Sequence, residues 1–185
     1  SLTESSEGAV SGPVAAFKAS PGPDEVSREI PGLDKLEKET GFIVRELIVT
    51  EREYVRDLNI ICNVFYDPLN DTEEAKKCGM GKKEREKIFG NVKELLCMNK
   101  ELLKIMEACP TPLGIGKAFV QMAPFLKVYS LYCGNQSESL QELDALRARS
   151  STFSTFLDYC FQRPECRCLD LNAYLIKPVQ RICKY

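Results

Sequence analysis

The chain has no histidine and no tryptophan among its 185 residues. Without an imidazole, Ser/His and Cys/His nucleophilic catalysis are excluded, and so is a mixed Cys/His zinc site. No run of about 18 apolar residues occurs, so neither a transmembrane helix nor direct membrane insertion is expected. Neither sign of charge is in large excess: 25 Lys and Arg against 27 Asp and Glu leave a formal net charge of −2. Nucleic acid and anionic membrane surfaces reward a basic surplus that this chain lacks, so no nucleic-acid partner is expected. No stretch alternates apolar and polar residues with period two, so strands are not indicated.

Cysteine, by contrast, is plentiful at nine, but the residues are scattered and odd in number. That pattern argues against a secreted disulfide framework and predicts reduced thiols buried in a cytosolic helical core. Cys160, Cys166 and Cys168 lie close together without a fourth ligand at zinc-type spacing, so no metal is assigned. Gly79-Met80-Gly81-Lys82 lacks the further glycines and the Ser/Thr of a phosphate loop. Nothing calls for a cofactor, and the chain reads as a binding module.

Residues 1 to about 31 are rich in Ser, Gly, Pro and acidic side chains, with Phe17 as the one aromatic. Such a composition cannot bury enough apolar area to offset its ordering entropy. Residues 1–40 are therefore expected to be disordered and 41–185 to form one domain. Apolar periodicity then marks four segments, at about 42–66, 84–108, 115–133 and 138–162, with a fifth from 170 to the end. Asp67-Pro68, Gly79-Met80-Gly81, Pro110-Thr111-Pro112, Gly134-Asn135 and Arg163-Pro164 supply the turn chemistry between them. The pattern predicts an all-α, elongated helical bundle of long helices packed side by side.

Two segments carry the functional signal. On the first helix Val44, Leu47, Tyr54, Val55, Leu58, Ile61, Cys62 and Phe65 share a face, while Arg45, Arg52, Glu53 and Arg56 lie opposite. Glu51 falls within the apolar stripe, about 40° from Leu47. A buried carboxylate without a partner is expensive, so Glu51 needs either an internal ion pair or an opening onto a docking surface. Glu51 and Asp57 diverge around the helix, which does not favour a shared acid/base site.

The last segment begins at Asp170, a suitable N-cap, and has Leu171, Tyr174, Leu175, Val179 and Ile182 on its apolar side. Lys177, Arg181 and Lys184 line one edge with Gln180, and Pro178 is expected to bend the helix. This is either a core helix with a solvated edge or a surface for an acidic partner. The segment ends on Lys184-Tyr185 without a cap, which reads as a helix cut short.

These residues resemble the Dbl-homology domain of Rho-family guanine-nucleotide exchange factors. I-V-R-E-L-I-V-T-E-R-E-Y-V-R-D-L at 43–58 is similar to that family's first conserved region, and I-F-G-N-V-K-E-L-L at 88–96 to its second. A-P-F-L-K-V-Y-S-L-Y-C at 123–133 resembles the central helix, and Y-L-I-K-P-V-Q-R-I-C-K-Y at 174–185 the start of the third region. The resemblance covers about residues 42–185 in the family's order. It implies a bundle that binds a Rho-family GTPase, Rac-like or Rho-like, and accelerates release of GDP by binding alone, with no bond chemistry.

On this resemblance Glu51 contacts the GTPase's first switch region and Lys184 the second, with Gln180 at the same interface. Ile176, just before Lys177-Pro178, helps read a specificity position and resembles exchange factors for Rac. The family's third region continues into an apolar run and a long final helix, usually followed by a pleckstrin-homology domain, and these are absent here. The chain as it stands is accordingly expected to be marginally stable and inactive in exchange. The implied setting is cytoplasmic, with membrane recruitment through those further domains. A Dbl-like scaffold that binds partners without exchange is the alternative, and a spectrin-like structural module a third.

Overall fold

The computed structural model describes residues 33–70 and 72–185. The segment expected to be disordered lies outside these residues as far as residue 32. The chain divides into a unit Ser1–Glu37 and a compact unit Lys38–Tyr185. Every regular element among the described residues is helical.

Helix α1 spans Leu33–Ile60 and starts before the residue 42 expected from apolar spacing. Its opening run, Leu33-Asp34-Lys35-Leu36-Glu37-Lys38, consists mainly of good helix formers, which apolar periodicity cannot register. α1 passes into a π-helical turn over Ile61–Tyr66 and a 3₁₀ turn over Asp67–Leu69, where Pro68 has no N–H to continue the ladder. The expected stripe is buried at Val44, Tyr54, Val55, Leu58, Ile61, Cys62 and Phe65 and half-buried at Leu47, and the four opposite charges are exposed.

A short helix α2, Glu73–Lys77, is capped by Thr72, whose hydroxyl accepts from Ala75 N at 3.1 Å. The segment expected at 84–108 is two helices, α3 over Lys82–Phe89 and α4 over Val92–Ala108. Gly90 separates them at φ 52°, ψ −136°, a conformation that side chains with a Cβ avoid.

Helix α5, Pro112–Met122, leads through a 3₁₀ stretch, Ala123–Lys127, into α6, Val128–Arg149. The expected break at Gly134-Asn135 does not occur, and α6 runs through it. Asn135 instead donates from Nδ2 to Lys87 O at 2.7 Å, and Ser139 Oγ donates to Ile88 O at 2.5 Å. These are last-turn carbonyls of α3, left without partners inside their own helix. Each such bond contributes about 0.5–1.5 kcal/mol net, enough to hold an intrinsic turn pair in helical form. The chain breaks at Ser150, whose hydroxyl accepts from Phe153 N at 3.2 Å to cap α7, Ser151–Gln162.

Two short helices close the chain: α8, Leu171–Leu175, and α9, Lys177–Ile182. Asp170 caps α8 as expected, its Oδ1 accepting from Ala173 N at 2.8 Å. The bend expected at Pro178 is a break at Ile176. Pro178 stands in the first turn of α9, where its missing N–H costs nothing.

Phe65, Phe89, Phe153 and Tyr174 are among the largest fully buried side chains of one continuous core. Each is worth about 1.5–3 kcal/mol relative to exposure. The Phe65 and Tyr174 rings, 6.0 Å apart, join the end of α1 to α8. Among the described residues, no helix is long and apolar enough to cross a membrane.

All nine cysteines are free thiols, but the expected burial holds for only four of them, Cys62, Cys78, Cys160 and Cys166. Burial pushes the Cys62 thiol up to about 11 and Cys160 to about 12, so neither supplies thiolate near neutral pH. A disulfide reagent at neutral pH should label exposed Cys97, Cys109, Cys168 and Cys183 first and half-buried Cys133 more slowly. The four buried thiols should react only after unfolding, and peptide mapping would separate the two classes.

Candidate functional site

The candidate site is a groove between α1 and α9, lined by Thr50, Glu53, Tyr54, Asp57, Lys177, Gln180, Arg181 and Lys184. Lys177 and Arg181, four residues apart and so on one face of α9, reach the two carboxylates of α1.

Glu51 is completely buried. Its Oε2 accepts from Arg181 Nε at 2.9 Å, from Arg181 Nη2 at 2.5 Å and from the Tyr185 hydroxyl at 2.7 Å. Arg181 Nη1 donates to Thr50 Oγ1 at 3.1 Å. The guanidinium also lies over two rings, 5.0 Å from the centre of Tyr185 and 5.8 Å from that of Tyr54. Burial pushes the Glu51 carboxyl above its ordinary range, opposed by the Arg181 charge and by the bonds from Tyr185 and Arg181.

Asp57 forms the second rung. Its Oδ1 accepts from Arg167 Nη2 and its Oδ2 from Lys177 Nζ at 2.5 Å. Arg167 reaches it from a left-handed backbone at φ 53°, followed by Cys168 at φ 55°. A non-glycine pair in that region carries strain, offset here by a buried partner.

Beneath Tyr185 the polar layer continues into the core. The Tyr185 hydroxyl lies 2.8 Å from Asn99 Oδ1, and the Tyr129 hydroxyl 3.1 Å from both Asn99 Oδ1 and the Tyr54 hydroxyl. Each phenol has one proton, so Tyr129 donates to Asn99 and accepts from Tyr54. Burial raises the Tyr54, Tyr129 and Tyr185 hydroxyls above their usual value, which keeps them protonated as donors.

In this structure the Glu51 carboxylate is buried and closes an internal ion pair with Arg181. The reason is desolvation, since a carboxylate in an apolar stripe is tolerable only when a cation comes to it. Arg181 turns inward for the same purpose, and Lys177 leans on Asp57, so little of the basic edge faces outward. Gln180 and Lys184 are exposed on the groove, and Ile176 is half-buried. Asn99, Tyr129, Arg167 and the partner role of Arg181 were missed. The one signal available for Asn99 was an amide in the middle of the apolar stripe Val92, Leu95, Leu102 and Met106.

A family model described as RhoGEF domain matches residues 43–185. The chain is 39% identical over 147 residues to the myosin-M heavy chain of Dictyostelium discoideum, covering 77% of this chain and 8% of that protein. It is 32% identical over 154 residues to a human phosphatidylinositol 3,4,5-trisphosphate-dependent Rac exchanger 2 protein, covering 77% and 9%. The chain therefore spans less than a tenth of the length of either relative. The fold matches a solved complex of PDZ-RhoGEF DH/PH domains with GTP-γ-S-activated RhoA at a TM-score of 0.70 and 25% identity, covering 89% of this chain and 46% of that one.

Replacing Arg181 with Met, which leaves the Glu51 carboxylate buried without its cation, should cost about 3–5 kcal/mol in urea unfolding. The double variant Glu51→Leu/Arg181→Met should recover most of that loss, because no unpaired charge remains.

Proposed function

The chain belongs to the RhoGEF domain family, and on that premise we propose that it binds a Rho-family GTPase and accelerates GDP release. The observation that carries the proposal is the groove itself: exposed Gln180 and Lys184 stand over a layer in which Glu51, Asp57, Lys177 and Arg181 are already paired. A surface of this kind offers a cation and an amide to a partner at little reorganisation cost. Neither a nucleophile–base pair nor a bound group is needed, because exchange is differential binding. A factor that holds the nucleotide-free conformation more tightly than the GDP-bound one shifts the equilibrium toward release, and incoming GTP then displaces it.

In this reading Lys184 and Gln180 touch the GTPase, Ile176 contributes to choosing among Rho-family members, and Glu51 acts from beneath by fixing Arg181 and Tyr185. We favour a Rac-like GTPase on the identity of Ile176, and the preference is measurable.

Release of a fluorescent GDP analogue from Rac-like and Rho-like GTPases should be accelerated by the full-length protein and slowed roughly tenfold or more by Lys184→Ala. That is the effect of losing one charge-assisted hydrogen bond. Gln180→Ala should give a smaller loss. Binding without acceleration of release from any Rho-family GTPase would identify a scaffold and overturn the exchange reading. An unchanged rate for Lys184→Ala would overturn the site.

A further inference from the structure

Asn99 occupies a place where packing alone calls for leucine. It is fully buried on α4, in line with Val92, Leu95, Leu102 and Met106. A buried amide is destabilising unless its polar atoms are bonded. Its Nδ2 donates to Leu95 O at 2.7 Å, one turn back on its own helix. That carbonyl lies within the helical ladder already, so the bond chiefly locks the side chain and aims Oδ1 away from α4. What Oδ1 meets is the Tyr129 hydroxyl of α6 at 3.1 Å and the Tyr185 hydroxyl at 2.8 Å.

Tyr185 has one hydroxyl proton, which Glu51 Oε2 at 2.7 Å and Asn99 Oδ1 at 2.8 Å share in a three-centre bond. Its oxygen is therefore pinned between α4 and α1, while its ring packs edge-on against Phe119 at 5.3 Å. The preceding residue is Lys184, exposed on the groove, with its N–H on Arg181 O at 2.9 Å.

We infer that Asn99 is a positioning residue for the groove: by holding the Tyr185 hydroxyl from inside the core, it sets where Lys184 stands. Asn99 touches no partner itself. The functional half of this inference rests on the exchange reading above, and the structural half does not.

The test uses the full-length protein with Asn99→Leu and with Tyr185→Phe, which removes only the hydroxyl and keeps the ring contacts. Amide hydrogen exchange over residues 177–185 should quicken about fivefold in each, the effect of roughly one lost hydrogen bond, and in Tyr185→Phe α4 and α6 should be unchanged. Catalysed GDP release should slow by a similar factor. In combination with Lys184→Ala neither substitution should add a further loss, because their effect runs through that side chain.

Unchanged amide exchange at 177–185, or in Tyr185→Phe faster exchange spread through α4 and α6, would overturn positioning. So would losses that multiply with that of Lys184→Ala. If the unsubstituted protein accelerates no GTPase, the exchange reading falls, and the amide-exchange result still decides whether Asn99 holds the groove.

Discussion

The Glu51–Arg181 pair joins residues 130 positions apart in the chain and is buried, with side-chain accessibilities of 0% and 6%. A carboxylate in the apolar stripe of α1 cannot be left alone, and only a cation carried by the last helix can meet it. The demand ties α9 to α1 and sets the Tyr185 hydroxyl between Glu51 and Asn99. Much of what surrounds the groove follows from satisfying that one oxygen.

Asp57 repeats the arrangement six residues further along α1, with Lys177 and Arg167 as its partners. Two rungs fix both the distance and the rotation of α9 relative to α1, which one rung could not. Arg167 accepts a left-handed backbone to reach its place, and i, i+4 spacing on α9 points Lys177 and Arg181 the same way. The result is a surface held from below by paired charges, over which Gln180 and Lys184 are exposed. Function in a binding module of this kind is mostly geometry fixed in advance, so that association orders little that was loose.

Burial in the groove also explains why side chains of similar type have different roles. Lys177 and Lys184 are both lysines on one edge, yet Lys177 stabilises Asp57 while Lys184 is exposed. Glu51 and Glu53 sit two apart on α1, which turns one into the core and the other onto the groove rim.

The helical class, the stripe of α1, the cap at Asp170 and the family motifs were all legible in the sequence, because they depend on spacing along a single helix. Helix ends were less so: α1 begins among polar helix formers, Gly90 divides what periodicity joins, and Gly134-Asn135 is helical because Asn135 bonds to α3. For the site, the sequence marked Glu51 as a misplaced charge and grouped Arg181 with Gln180 and Lys184. That Glu51 meets an internal cation in Arg181 is a matter of pairing across 130 residues, and periodicity carries no information about such contacts. The tertiary structure decided it, because desolvation draws a buried carboxylate to the cation that packing brings within reach, leaving Lys184 outside.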